Sequence, residues 1–454
     1  MRGHRLVPGA VVTLALSLVP PLPAGAAAPG SGIPGTLRTT QLANGLRIVL
    51  APDSDAAAVD VAVCYDAGLS AERPGQAGIA HLFEHLMFDG SAHVPRRDHQ
   101  ARIEALGGAA GAVTTADGIF FFDTVPASGL DTALVLEADR MTGLTLDGAR
   151  LESERTAMSA ERRQALLGSP LLDGQQRLAE RAWAGHPYHS PVTGSAADLA
   201  KLTLQDVQEW YRTRYGPKHA VLTVVGRFDP DEALSQIRAR FGSLQGGEAA
   251  ATPPKLATPA AERRAWAEGA LPFRILFVGW NGPGRGEPDG AALALAVALL
   301  GRGDTATLRG DLVDGRHLCF FIDGDLDVRR DGSLMVLTAG LQPGADSAAV
   351  EQALTAAVAK LAGTPPADDD LAGARRRLEN ALLFGWQSTR GRGQTLGSAM
   401  AMTGDPATVS RDLERLRACT PADVQKAAAR WLTESRRTVL WMAARPEPKN
   451  GDRR

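Results

Sequence analysis

An α+β fold made of two similar halves is what this 454-residue sequence predicts, and three observations carry the prediction. Segments with strand-like patterning alternate with segments of helical period along most of the chain. Residues 245–262, QGGEAAATPPKLATPAAE, are rich in Gly, Ala, Pro and Thr and poor in large apolar groups, and they read as a linker dividing the chain nearly in half. The ends of the halves also repeat. Thr203-Leu204-Gln205-Asp206-Val207-Gln208 opens a helix ahead of a strand at 220–226, and Thr420-Pro421-Ala422-Asp423-Val424-Gln425 opens another ahead of a strand at 438–443. Each begins on a threonine N-cap, and Asp206 precedes Val221 by the same 15 residues that separate Asp423 from Thr438. A duplicated unit is the economical explanation for a chain longer than one ordinary core.

In order, Arg2 and Arg5, the apolar stretch 6–19 and the small residues at 24–28 read as an export signal occupying 1–28, which places the protein in a periplasm or beyond. An N-terminal domain is expected at 36–244. It opens with a strand at 46–51 after the hairpin signal Asn44-Gly45, and a second strand at 59–65 runs into a turn. The turn-forming Arg73-Pro74-Gly75 precedes an apolar helix at 77–86. Strands follow at 110–115 and 118–125, the second carrying Phe120, Phe121 and Phe122, and helices at 130–142, 151–165, 170–184 and 204–215. The C-terminal domain, 263–446, has strands at 273–282, 319–326 and 333–341 and helices at 291–300, 305–314, 345–362 and 368–387.

No later apolar run approaches the 18 or more residues of a membrane span; the longest, 291–300, fits a buried helix. The formal charge of -2 becomes -4 without Arg2 and Arg5, which gives no electrostatic case for nucleic acid. Cys64, Cys319 and Cys419 are too few and too widely spaced for a disulfide framework or a thiolate metal site, although one disulfide is open to them in an oxidising compartment.

The chemistry concentrates in the helix at 77–86, which contains His81-Leu82-Phe83-Glu84-His85. Positions i and i+4 share one helical face, so His81 and His85 can grip a single ion, with the carboxylate of Glu84 beside them as a base. Neutral imidazole suits zinc, and the order H-x-x-E-H is that of inverted zinc peptidases. The matching helix of the second half, AALALAVALL, has no ligand. A catalytic zinc wants a third protein ligand. Segment 151–165, LESERTAMSAERRQA, offers Glu154 and Glu161, seven residues apart on one face; the competing reading is a charged surface helix paired through Arg155, Arg162 and Arg163. Chemistry alone leaves both acids open.

With these residues the chain resembles the pitrilysin, insulinase and mitochondrial processing peptidase metallopeptidases. The resemblance rests on His81-x-x-Glu84-His85 followed 76 residues later by Glu161, within Glu154-Arg155-x-x-x-x-x-Glu161. It extends through Gly111-Ala112-Val113-Thr114-Thr115-Ala116-Asp117, Leu136-Glu137-Ala138-Asp139-Arg140-Met141, His186-Pro187-Tyr188 with Gly194, and Tyr215-Gly216-Pro217-Lys218-His219-Ala220. It implies two homologous α/β sandwiches, each a mainly antiparallel sheet packed with helices, forming half of a clamshell chamber. It also implies one zinc ion on His81, His85 and Glu161, Glu84 as general base, and Glu154 as a supporting carboxylate. Substrate would be a peptide or unfolded polypeptide added as a strand along Gly111, Ala112, Val113 and Thr114. His93, His99, His186, His189, His219 and His317 then need not be ligands, and surface or hydrogen-bonded roles are expected for them.

Two departures qualify the resemblance. Gly111 stands where the family often has Asn, and Val313 and Phe320 stand where members acting alone have an Arg and a Tyr. In two-chain relatives the zinc motif and that pair lie on different subunits, so the expected partner is an inactive paralogue of similar fold, with Arg316 or His317 as substitutes in a homodimer. A non-catalytic peptide-binding or assembly subunit is the competing class; the complete set His81, Glu84, His85 and Glu161 favours hydrolysis.

Overall fold

Alternating apolar residues and the turns between them give two mixed sheets in the computed structural model, which describes residues 37–248, 254–269 and 271–444. The expected leader at 1–28 and part of the expected linker lie outside the described residues. The first sheet holds β1 (Arg38–Gln41), β2 (Arg47–Pro52), β3 (Ala58–Tyr65), β4 (Ala109–Thr114), β5 (Ile119–Pro126) and β6 (Ala220–Gly226), in the order β1-β2-β6-β3-β5-β4. The second holds β7 (Arg263–Glu268), β8 (Ile275–Gly282), β9 (Cys319–Val328), β10 (Ser333–Leu341) and β11 (Arg437–Ala443), in the order β7-β11-β8-β10-β9. Without β1 the two orders are the same. The parallel pair also falls in the same place, β2 beside β6 and β7 beside β11, and all other neighbours are antiparallel. This is the expected α+β architecture of two mainly antiparallel sheets packed with helices.

Local chemistry accounts for the shared elements. The Asn44-Gly45 turn sets β1 against β2, with Gly45 at φ 96° and Gln41 opposite Arg47. Thr203 and Asp206 form a full capping box at the start of Leu204–Arg214, and Thr420 and Asp423 form another at Pro421–Trp431.

Each sheet buries one face under helices of its own half. The other face is covered by a helix from the opposite half. Pro170–Ala182 lies on β8 and β11, where Leu178 and Ala182 meet Phe277, Leu440 and Met442. Thr389–Thr403 lies on β3 and β6, where Leu396 meets Cys64, Phe120 and Val221. Burying a side chain such as Leu178 or Leu396 contributes about 1.5–3 kcal/mol. Glycines permit both crossings: a Cβ on Gly174 would overlap the Phe277 ring, and one on Gly393 would lie 2.6 Å from Asp60 Oδ2.

Several segments differ from expectation. The helix expected at 305–314 is a short turn, Thr307–Arg309, passing into a π-helix, Gly310–Gly315. Strands β1 and β7 and helices Asp98–Ala105, Pro230–Phe241, Thr389–Thr403 and Thr408–Ala418 were not anticipated. The disulfide left open to the cysteines is not formed: Cys64, Cys319 and Cys419 are buried free thiols. Among the described residues no helix is long and apolar enough to cross a membrane.

Candidate metal centre

The helix carrying the histidines runs from Ile79 to Leu86. Its N-cap is Gly78 at φ 100°, which offers no capping side chain. Glu72 caps it from a distance: Oε1 accepts the N–H groups of Gly78 at 2.9 Å and Ala80 at 3.2 Å. Burial pushes the Glu72 carboxyl up to about 8 against those two hydrogen bonds, and its Oε2 has no partner. No periodic or capping signal marks Glu72, six residues upstream of Gly78 in a turn.

His81 and His85 point from the same face, with ring centroids 5.1 Å apart. The acids lie opposite on helix Gly148–Gly168. His85 Nε2 is 3.2 Å from Glu161 Oε2, and His81 Nε2 is 3.7 Å from Glu161 Oε1. On its other side, His85 Nδ1 is 3.2 Å from Glu154 Oε2. The two acids that chemistry left open are thereby separated. Glu161 faces both Nε2 atoms; Glu154 faces the far nitrogen of one ring. Arg96 links Glu154, at 3.5 Å, to the buried Asp89.

Donor atoms of His81, His85 and Glu161 lie within 4.8 Å of one another, a set suited to one ion. The electrostatics agree. Burial opposes a charge on His85, yet hydrogen bonds to Glu154 and Glu161 prevail and raise it to about 9. With Nδ1 facing Glu154 and Nε2 facing Glu161, the metal-free ring holds a proton on each nitrogen, and a metal ion at Nε2 would take the place of the second proton between imidazole and carboxylate. The acids shift in the complementary direction: the His85 hydrogen bond lowers Glu154, and Glu161, which burial pushes up, is lowered overall by its own hydrogen bond to His85 together with the charges of His81 and His85. Burial pushes His81 down, toward the neutral form a metal needs.

Glu84 is held by the end of β4. Its Oε2 accepts from the backbone N–H of Thr114 at 2.9 Å and from the Thr114 hydroxyl at 2.5 Å. Thr114 ends β4, the edge strand of the first sheet, so the expected peptide-docking residues Gly111, Ala112, Val113 and Thr114 lie on one strand that meets this carboxylate. The space beside Gly111 is filled from within: a Cβ there would stand 2.5 Å from the Phe122 ring.

A second cluster of ligand-type groups, His99, Asp123 and Glu137, is fully buried. His99 Nε2 sits 3.0 Å from both Asp123 oxygens, and Arg140 pairs with Glu137 through two nitrogens. A guanidinium already supplies the cation in this cluster. Four other described histidines are hydrogen-bonded elsewhere: His93 with Asp139, His186 with the Tyr188 N–H, His189 with the His186 carbonyl and His219 with the Glu248 carbonyl. In the second half, Val313 is half-buried in the π-helix, and Phe320 is 44% exposed on edge strand β9 with its ring against Phe273. Arg316 is committed to Asp311 at 3.0 and 2.6 Å, and His317 Nδ1 to the Val313 carbonyl at 2.9 Å.

Comparison with known proteins agrees with this division of labour. Residues 47–195 match a family model described as "Insulinase (Peptidase family M16)", and residues 201–378 one described as "Peptidase M16 inactive domain". A Helicobacter pylori protein named zinc protease PqqE is 28% identical over 325 residues, 70% of this chain and 73% of that one. A probable mitochondrial-processing peptidase subunit beta of Arabidopsis thaliana is 26% identical over 275 residues, 58% of this chain and 50% of its own. The crystal structure of a protease from Helicobacter pylori superposes with a TM-score of 0.84 at 23% identity, over 90% of this chain and 99% of that one. The chain belongs to the insulinase family of peptidases, M16.

Proposed function

We propose that this chain is an exported, zinc-dependent endopeptidase acting on peptides or unfolded polypeptides, and that a second subunit of similar fold completes its active site. The observation that carries the reading is the convergence of His81, His85 and Glu161, with Glu154 behind His85, in a first half whose topological twin lacks all four. His81, His85 and Glu161 would hold the metal, and the pairing of His85 Nδ1 with Glu154 would fix which nitrogen faces it. When bound, zinc supplies Lewis acidity, activating a water and polarising the scissile carbonyl.

The other steps belong to the protein. Glu84 takes a proton from the attacking water and delivers it to the leaving amine. Thr114 holds the Glu84 carboxylate through two hydrogen bonds, so its orientation is set by the end of β4. The outer edge of β4 has no neighbouring strand within the described chain, which supports docking of an extended peptide by backbone pairing with modest side-chain demands. Val313 and Phe320 cannot donate a side-chain hydrogen bond to a developing oxyanion, and this supports a partner that supplies one; the subunit name of the mitochondrial relative points the same way.

The test is zinc analysis and peptide cleavage by the wild type and Glu84→Gln, each alone and mixed with a similar-fold partner. Retained zinc with lost cleavage supports the mechanism. Equal cleavage by Glu84→Gln overturns it, and full activity of the chain alone as a monomer overturns the need for a partner.

A further inference from the structure

The tip of the β9–β10 hairpin, in the second half, docks on the β4–β5 turn of the first. Asp117, in that turn, is 3% exposed and accepts from three groups outside its own hairpin. Its Oδ1 accepts the Tyr188 hydroxyl at 2.5 Å, its Oδ2 accepts the Arg330 N–H at 2.8 Å, and its carbonyl accepts Arg330 Nη2 at 3.3 Å. Arg330 Nη2 also reaches Asp66 Oδ1 at 2.6 Å, just beyond the end of β3. Neighbouring Arg329 donates to the Tyr188 carbonyl at 3.1 Å and lies over the rings of Trp183 and Tyr188. Within the turn, the Thr115 hydroxyl donates to the Gly118 carbonyl and accepts the N–H of Gly118 at 3.1 Å, while Ser70 N–H reaches the Ala116 carbonyl at 2.8 Å. Thr114, the next residue toward β4, is the one that holds Glu84.

We propose that Arg330 is a positioning residue for Glu84: it clamps the β4–β5 turn through Asp66 and Asp117, and so fixes the Thr114 donors that orient the Glu84 carboxylate. The inference rests on Glu84 as the base. It gives the metal-free half a role in the chemistry without touching substrate. The connection is short and stiff, since one guanidinium and one backbone N–H bind a buried turn only three residues from Thr114. A small displacement of a catalytic group can cost about a hundredfold in rate, so this kind of support matters.

The test uses the full chain in two arms, the kinetic one with the similar-fold partner present. In hydrogen exchange, Arg330→Ala is expected to speed exchange of amides in 109–120 about tenfold while those of β6 stay unchanged. In kinetics, Arg330→Ala is expected to lower kcat about tenfold with KM and zinc content unchanged, and combining it with Thr114→Ala is expected to be no worse than the poorer single variant, because both act through the same carboxylate. Unchanged exchange in 109–120, or single losses that multiply in the double variant, overturns the proposal. Should Arg330→Ala fail to fold, Arg330→Lys keeps a cation near Asp66 on a shorter side chain that does not reach as far as Nη2, which spans Asp66 and the Asp117 carbonyl; a smaller acceleration of the same amides is expected, and none overturns the proposal. A wild type that binds zinc and cleaves nothing even when mixed with a similar-fold partner would remove the peptidase reading, while the exchange arm still decides whether Arg330 holds the strand.

Discussion

Helices Ile79–Leu86 and Gly290–Leu300 occupy the same place in the two halves, each joining the strand third in its sheet to the hairpin that forms the sheet edge. The second is apolar nearly all round, with eight buried residues that are only Ala, Leu and Val. The first buries His81 and half-buries Glu84 and His85. The duplicated topology therefore contains its own control. Position in the fold asks only for an apolar helix, and the polar set in the first half is in excess of what folding needs. Buried polar groups without full hydrogen bonding cost stability, and His81 Nδ1 and Glu72 Oε2 are both left without partners. That excess is the physical argument for function.

The contrast can be broken in several ways, the largest effect first. Glu84→Gln keeps the shape of the helix and removes only the base; peptide cleavage by the zinc-loaded protein should fall about 10²–10⁴-fold, with zinc content unchanged by elemental analysis. Gly174→Val and Gly393→Val each overfill one of the two helix crossings, and denaturant titration should show a loss of about 1–3 kcal/mol for both. An effect at only one crossing would mean that the halves are not mutually packed. His81→Leu makes the first helix more like the second. It should abolish stoichiometric zinc binding and, in metal-free protein, raise stability by about 1 kcal/mol, visible as a higher midpoint of thermal unfolding.

A further contrast concerns pH. Glu72 has its folded value raised to about 8, so below its ordinary value near 4.5 its contribution is fully present, and stability is lost as pH rises from there through about 8. Glu72→Gln removes that loss. The variant's unfolding midpoint relative to the wild type should climb between pH 5 and pH 8.5, and a flat difference would show that the carboxyl is not held protonated.

Much of this was legible in the sequence for a physical reason. The histidine helix, the strand pairs and both threonine N-caps are set by residues within one or two turns of each other. Glu154 and Glu161 were visible as a pair, but a spacing of two helical turns cannot say which one meets the ring nitrogens; that depends on how the long helix is placed across the first. Helix Thr389–Thr403 escaped notice because Gly391, Gly393 and Gly397 lower helical propensity, and those at 393 and 397 serve close approach to the first sheet instead. Strand β7, RRAWAE, is charged because it is a sheet edge with only alternate residues partly covered. Glu72 and Arg330 act across loops and across halves, where no local period records them.

The reciprocal crossing of Pro170–Ala182 and Thr389–Thr403 has a consequence for how the molecule comes apart. Expressed separately, either half would expose the bare face of its own sheet and carry an orphaned helix belonging to its neighbour. A nick between the halves should then yield two fragments that remain associated and refold only together. Unfolding should accordingly be a single transition of the whole chain, with neither half surviving as an independent relic.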